Sequence, residues 1–203
     1  MDSIEQLLAS QGLSKKRLAE VRQMAHASIP GGNVERVGVK GHLKILGIAE
    51  DRVWTICDED NIITNTGFAL LAAMWGGPTA PETYNTLRPY RIAIGTGYNG
   101  SPTAAMTTLA MGAVPTFIST LTQVVSTGSP NVTGCRFELL VPNGTGSDPY
   151  NGVTLKEAGL FPDNYSSSTT GAGGMISYRT YPDINKTDQF SLLYQWSFAF
   201  SSI

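Results

Sequence analysis

The chain has 203 residues, a formal net charge of −2 and only 15% charged residues, against roughly 25% in ordinary soluble domains. Its near balance of 14 basic and 16 acidic residues gives no global field to attract nucleic acid. No apolar run approaches the ~20 residues needed to cross a bilayer, and the polar, amphipathic N-terminus does not match a secretion signal. Plentiful Gly (22) and Pro (11) favour a turn-rich β-protein whose surface is partly covered by other subunits.

Two short helices are predicted at the N-terminus. Residues 3–6 match a capping box, and the apolar stripe that follows ends at Gly12. Ser14 can cap a second helix, which residues 29–32 terminate. Two short helices cannot bury their stripes on each other alone, so residues 1–32 are predicted to dock on the β-domain or on a neighbouring molecule. The predicted assembly-interface residues are Ile4, Leu7, Leu8, Leu18, Val21 and Met24.

The second helix also carries a basic face. A helix–Gly–helix outline is a weak match to a DNA-binding helix-turn-helix, but the turn lacks supporting features and no third helix follows. We therefore expect a solvated or subunit-facing helix and no nucleic-acid partner. The basic residues are Lys15, Lys16, Arg17 and Arg22.

From Val34 onward the hydrophobic period changes to two, which predicts a β-domain over residues 33–203. About eight strands separated by turns predict a mainly β fold, an antiparallel β-sandwich or jelly roll. One turn is expected at residues 58–61. A helix over residues 68–75, capped by Asn65 or Thr66, is apolar all round and is predicted to be buried. The predicted strands are 43–48, 53–57, 62–64, 90–94, 117–125, 132–141, 155–161, 175–181 and 190–200.

The last strand has the clearest pattern. Large apolar residues alternate with small or polar ones from Phe190 to Phe200, so six of them share one face and can anchor the core. Each contributes roughly 1.5–3 kcal/mol when buried. The opposite face, which includes Gln195 and Ser197, is predicted to meet water or a close subunit contact.

A glycine motif at residues 95–100 (GTGYNG) matches the dinucleotide-binding pattern and follows a strand. That site needs a helix opening at the motif and an acidic residue about 20 positions later. Ser101-Pro102 follows instead, and no Asp or Glu occurs between residues 83 and 137. The motif is therefore interpreted as a loop with positive-φ glycines, and no cofactor is expected.

Metal and catalytic sites are not expected either. Asp58, Asp60 and Asn61 lack the glycine and the twelfth-position Glu of a calcium loop. His26 and His42 lie in no recognisable triad motif. Glu138 is expected to pair with an arginine such as Arg179 rather than to act with Glu157 as a glycosidase pair. Cys57 and Cys135 are expected to be reduced core residues. The chain is predicted to be no enzyme.

Tyrosines in the loops support a different function. Exposed Tyr is favoured at recognition surfaces, so a carbohydrate- or receptor-binding module is an alternative, with a host-surface glycan as its ligand. The candidate ligand-loop residues are Tyr98, Tyr150 and Tyr165.

Three pieces of the sequence, in this order, resemble a family of tailed-bacteriophage virion proteins. The first is residues 62–71 (IITNTGFALL), a strand that ends in TN-x-G before an apolar helix. The second is residues 92–97 (IAIGTG), followed by a Pro/Thr/Ala segment at 101–109. The third is residues 156–161 (KEAGLF), followed by residues 175–181 (MISYRTY) and the aromatic terminal strand.

The resemblance spans about residues 40–203 and implies a non-enzymatic β-sandwich that packs into virions, usually as an oligomer. The expected protein is a tail, neck or fibre-associated component, assembled in the host cytoplasm, whose partners are other virion proteins and its own copies. A capsid decoration or cement protein is a further alternative. The helical residues 1–32 lie outside the resemblance and are the expected docking element.

Overall fold

The structure, a computed structural model, describes residues 12–26, 38–76, 89–97, 102–106, 109, 122–128, 132–144, 150–162 and 174–201. These ranges hold two helices and nine strands. The helices are α1 (Lys15–His26) and α2 (Asn65–Gly76). The strands are β1 (Gly38–Ile48), β2 (Val53–Asp60), β3 (Ile62–Ile63), β4 (Pro89–Gly95), β5 (Thr122–Gly128), β6 (Val132–Val141), β7 (Thr154–Pro162), β8 (Ser177–Asn185) and β9 (Ser191–Ser201).

The strands form two antiparallel sheets. One has five strands in the order β2-β1-β9-β6-β5, and the other has four in the order β3-β8-β7-β4. The fold class predicted from the period-two pattern, a mainly β protein consistent with a β-sandwich, is confirmed. The limits of β6 coincide with the prediction, and its centre alternates Cys135, Phe137 and Leu139 with Arg136 and Glu138.

The chain divides into two compact units. The first consists of Met1–Asp60, Thr122–Asp148 and Thr187–Ile203, and contains α1 and the five-stranded sheet. The second consists of Asn61–Leu121 and Pro149–Lys186, and contains α2 and the four-stranded sheet. The predicted boundary near residue 32 therefore differs from the division observed, since α1 belongs with the five-stranded sheet.

Helix α1 packs on the sheet of its own unit. Ser14 caps it as predicted: the Arg17 N–H donates to the Ser14 hydroxyl at 3.4 Å. Val21 is buried among apolar residues of β1, β6 and β9, and Leu18 and Met24 pack against the same cluster. Of the two predicted docking partners, the β-domain is the one that α1 contacts, so these three residues pack on the protein's own sheet rather than on a neighbouring molecule. Ile4, Leu7 and Leu8 lie outside the described residues.

Strand β9 lies at the centre of the five-stranded sheet, between β1 and β6. Four of the six residues predicted to share its aromatic face are buried, with Trp196 and Tyr194 fully inaccessible, whereas Phe190 and Phe200 are only half-buried. Its other face is buried as well, since Gln195 and Ser197 are 0% and 2% exposed. The expectation that this face meets water is corrected: α1 covers part of it, at Leu193.

Helix α2 begins differently from the prediction. The capping residue is Thr64, whose hydroxyl accepts the Gly67 N–H at 3.0 Å and donates to the Met175 carbonyl. Asn65 and Thr66 are already within the helix or its first turn. Thr64 is the capping residue because its side chain is held between the helix and the segment before β8. Local sequence does not reveal this contact.

The prediction that α2 is buried is also corrected. Phe68 is 50% exposed, the one exposed large hydrophobic among the described residues. Ala69 is exposed, and Leu70 and Leu71 are half-buried. We call these four residues the α2 surface. An all-apolar helix is normally enclosed, so this surface is unusual for a protein that works alone.

Gly95, the first glycine of the predicted loop motif, has a packing role. Neither Gly95 nor Gly97 has a positive φ, which corrects the interpretation made from sequence. A Cβ at Gly95 would lie 2.6 Å from Oε1 of Glu157 on the neighbouring strand β7. Glu157 is fully buried, and the Tyr178 hydroxyl donates to its Oε2 at 2.6 Å. The glycine therefore makes room for a buried carboxylate.

Candidate functional site

The first unit contains a pocket of about 660 Å³ at one end of the five-stranded sheet. Three separate stretches of chain line it: the β1–β2 turn with Trp54, Asn143 just after β6, and residues 188–190 before β9. The antiparallel order β2-β1-β9-β6 brings these loops to the same end of the sheet. A concave site built from an aromatic wall and a few polar side chains is the usual form of a small-molecule site.

Trp54 forms the aromatic wall of the pocket. It lies opposite Gly47 in the β1–β2 register, and a Cβ at Gly47 would come within 2.3 Å of its ring. The indole therefore lies against the β1 backbone, where only glycine leaves space. The Phe190 ring meets it edge-on with centroids 5.3 Å apart, and the Arg52 guanidinium lies 4.9 Å from the Trp54 ring centroid.

Hydrogen bonds hold the loops around this wall. The Ala49 N–H donates to the Arg52 carbonyl at 2.9 Å and closes the β1–β2 turn. Arg17 of α1 donates to the Asp51 carbonyl of the same turn. On the other side, the Asn143 N–H donates to the Ser191 hydroxyl at 2.9 Å. The pocket is thus preorganised, which lowers the entropic cost of binding.

The polar lining is unevenly charged. Glu50, Asp51 and Asp188 supply three carboxylates against the single guanidinium of Arg52. Asn143 and Gln189 add neutral amide groups and are both exposed. Such a lining can donate and accept several hydrogen bonds, but its net negative charge opposes anionic ligands.

The sequence did not single out this pocket. Trp54 was predicted only as a strand residue, and Phe190 as part of the aromatic face of β9. The residues beside Trp54 and Phe190 are typical of turns, and they indicated no binding site. The pocket residues come from three stretches spread between Ala49 and Phe190, so only the sheet order shows that they meet.

The tyrosines predicted as ligand-loop residues are placed differently. Tyr150 lies in a turn of the second unit, but its side chain is only 3% exposed. This corrects the expectation of a displayed ring, because the apolar body of the side chain is buried. Tyr98 and Tyr165 lie outside the described residues.

A second polar group lies on the β1–β2 pair. The residues predicted as an acidic turn continue β2 as far as Asp60, because β1 supplies cations opposite them. His42 places Nε2 at 2.6 Å from Asp58 and Nδ1 at 3.2 Å from Asp60. The buried Lys44 amine lies 3.1 Å from Asp58 and donates to the Met24 carbonyl, near the end of α1. This cluster connects α1 to the sheet.

The charges of the cluster act on its carboxyl groups. Burial disfavours the ionised form of Asp58, but hydrogen bonds from His42 and Lys44, and their charges, outweigh it and lower its pKa below the usual 3.8. Burial is likewise outweighed at Asp60, where Lys40 and His42 lower the pKa. A carboxyl group whose pKa is lower in the folded than in the unfolded state stabilises the fold at any pH above its ordinary pKa. This stabilisation is lost as the pH falls through the folded-state pKa.

We therefore expect Asp58→Asn to lower the free energy of unfolding by about 1 kcal/mol at pH 7, since the pair is partly exposed while Lys44 is buried. The difference from the parent protein should shrink as the pH falls below 3.8. Thermal unfolding from pH 7 to pH 3 measures it. Glu50→Gln, an exposed turn change, is the control and should stay within about 0.5 kcal/mol of the parent. A difference that grows towards low pH contradicts this account.

A third polar group is buried in the five-stranded sheet. Glu138 lies 2.8 Å from Arg136 on the same face of β6, and the Gln195 amide donates to Glu138 at 2.6 Å. This corrects the expected pairing of Glu138 with Arg179, which lies on β8 in the other sheet. Residues two apart on a strand share a face, and Arg136, the partner of Glu138, is only two positions away in the sequence.

Both cysteines are free thiols. Cys57 is buried and its Sγ lies 3.9 Å from the Leu43 carbonyl oxygen. Burial raises the pKa of the Cys135 thiol to about 11. A thiol with so high a pKa is almost wholly protonated at neutral pH and is a poor nucleophile.

Within the described residues, no three or more His, Cys, Asp or Glu side chains are arranged to hold a metal ion. Neither described helix is long and apolar enough to cross a membrane. Searches against protein-family models, curated proteins and solved structures find no match to this chain.

Proposed function

We propose that this protein is a non-enzymatic structural component of a tailed-phage virion, which assembles with copies of itself and with other virion proteins. The observation that carries the proposal is the α2 surface, where Phe68 is 50% exposed. The segment Asn65–Gly76 contains no charged residue. Exposed apolar surface of this kind is typical of a protein–protein contact.

The pieces that resemble phage virion proteins support the proposal through their contacts. Four strands of these pieces, β3, β4, β7 and β8, lie in one sheet, whereas the aromatic terminal strand β9 lies in the other. Gly67 of the TN-x-G piece approaches the Ile176 carbonyl so closely that a Cβ there would lie 2.1 Å from its oxygen. Gly95 of the second piece packs on Glu157 of the third. The motif residues thus have structural roles and fix the position of α2.

The two buried carboxylates of the described residues, Glu138 and Glu157, are hydrogen-bonded within the protein. Glu157 accepts a hydrogen bond from Tyr178, and Glu138 accepts one from Gln195. These hydrogen bonds give both carboxylates a structural role. The proposal of a non-enzymatic role rests on this use and on the resemblance.

A second copy of this chain is the partner we propose for the α2 surface. A helix without charge has no electrostatic means of selecting a charged partner, whereas an apolar face can pair with its own copy about a symmetry axis. The central apolar residues of such contacts carry most of the binding energy. Phe68 is the largest exposed apolar side chain of the described residues.

Phe68→Ser is therefore expected to weaken self-association by at least about tenfold, or about 1.4 kcal/mol. Because Phe68 is half exposed, the fold should remain intact. Sedimentation velocity over a range of concentrations measures the association, and circular dichroism checks the fold. Gln23→Ser, an exposed helical position in the other unit, is the matched control and should associate like the parent.

Two results would contradict the proposal. One is a parent protein that stays monomeric at every concentration and is absent from purified phage particles. The other is unchanged association in Phe68→Ser. Electron microscopy of particles labelled on this protein distinguishes a tail, neck or fibre-associated position from that of a capsid decoration or cement protein.

A further inference from the structure

The pocket belongs to the first unit, whereas the α2 surface of the assembly proposed above belongs to the second. The pocket has a volume of about 660 Å³, within the 300–1,000 Å³ range of small-molecule sites. Its walls combine two aromatic rings with carboxylate, amide and guanidinium groups. We propose that this pocket binds a saccharide that carries no negative charge, either a neutral sugar or an amino sugar.

The aromatic wall suits the apolar face of a sugar ring. A pyranose presents C–H groups on one face and hydroxyls around its edge, so it needs a flat apolar surface beside polar groups. The Trp54 ring supplies that surface, the Phe190 ring borders it at an angle of 61°, and both residues are only half-buried. Trp54 cannot turn into the sheet because its indole already lies against the backbone at Gly47.

The Arg52 side chain covers part of the Trp54 ring, and a ligand can displace it. Its guanidinium lies over the Trp54 ring, but the residue is exposed, and an exposed cation–π contact contributes only about 0.5–1 kcal/mol. A sugar ring can take its place on the indole at that cost. The released guanidinium then remains beside the pocket as a hydrogen-bond donor to hydroxyls.

The polar rim suits the edge of the sugar. Asn143, Asp188 and Gln189 are planar groups that can each engage two neighbouring hydroxyls. The Gln189 amide donates to Asp188 at 2.9 Å, which orients both groups. The excess of carboxylates excludes sialic and uronic acids, since a like charge in the pocket repels them. The same excess favours an ammonium group, so amino sugars are included.

Saturation-transfer NMR with a panel of monosaccharides tests the proposal. The panel holds glucose, galactose and mannose, their 2-amino and 2-acetamido forms, and their uronic acids. We expect a signal for at least one uncharged or amino sugar and weaker or no signal for the acids. Trp54→Ala and, separately, Asn143→Ala should weaken that binding by about tenfold or more.

The two variants serve different purposes. Asn143 is exposed, so its replacement leaves the fold intact even if Trp54→Ala perturbs the β1–β2 turn. Thr55→Ala, an exposed neighbour of Trp54 on β2, is the matched control and should bind like the parent. No binding by any uncharged or amino sugar, preferential binding of uronic acids, or unchanged binding in both variants would each overturn the proposal. None of these results bears on self-association through α2.

Discussion

Gly67→Ala should destabilise the protein by about 2–3 kcal/mol, although alanine is the better helix former. Helix propensity alone predicts a gain of about 1 kcal/mol at a helical glycine. The added Cβ, however, would lie 2.1 Å from the Ile176 carbonyl oxygen and 3.1 Å from Ile63. Backbone cannot yield as a flexible side chain does, so the helix or the segment before β8 must shift. Whether Gly67→Ala is less or more stable than the parent therefore shows whether the close contact of the added Cβ or the higher helix propensity of alanine has the larger effect.

Urea unfolding of Gly67→Ala and of the parent measures the change in the free energy of unfolding. Asn65→Ala is the matched control, because Asn65 is exposed in the same first turn of α2. It should change stability by no more than about 0.5 kcal/mol. If Gly67→Ala proves more stable than the parent, the close approach of α2 to β8 is contradicted.

Trp196→Ala should lower stability by about 3–5 kcal/mol, the usual cost of removing a fully buried aromatic residue. Trp196 is 0% exposed, at the centre of the five-stranded sheet, with Leu43 and Phe137 as its cross-strand partners. All three residues are buried, so the cavity cannot fill with water at little cost. Since domains of this size are stable by only about 5–15 kcal/mol, the variant should melt far below the parent.

Trp54→Ala is the comparison for this experiment, measured by the same unfolding method. Trp54 is only half-buried at the end of the same sheet, so its removal should cost less than about 2 kcal/mol. If the two variants lose the same free energy of unfolding, the greater burial of Trp196 than of Trp54 is contradicted. A stable Trp54→Ala protein also makes the saccharide test interpretable.

The two proposals concern separate parts of the molecule. The α2 surface belongs to the second unit and the pocket to the first. The two proposals rest on different residues, so each can be tested by its own variant. Phe68→Ser and Asn143→Ala should therefore have independent effects.

The alternation of residues was enough to place each strand in part, but it missed the ends of several: β1 begins at Gly38 rather than at residue 43, and β8 ends at Asn185 rather than at residue 181. β6 and β9 were located to within a residue or two, because a period-two pattern arises from neighbouring side chains alone. The cap of α1 at Ser14 was equally local. At the start of α2 the same reasoning failed, because Thr64 competes with Asn65 and Thr66 through its contact with Met175. That contact joins residues 111 positions apart.

The low fraction of charged residues and the high content of turn residues predicted a mainly β protein, and the alternating patterns placed each strand in part, without the ends of β1, β2, β5 and β8. Tertiary structure alone decided that Leu18, Val21 and Met24 are covered by the protein's own sheet and that Phe68 is exposed. It also decided that Trp54, Asn143 and Phe190 meet in one pocket. The physical reason is that periodicity records which side chains share a face, whereas the cover of each face depends on strand order and on contacts between distant parts of the chain.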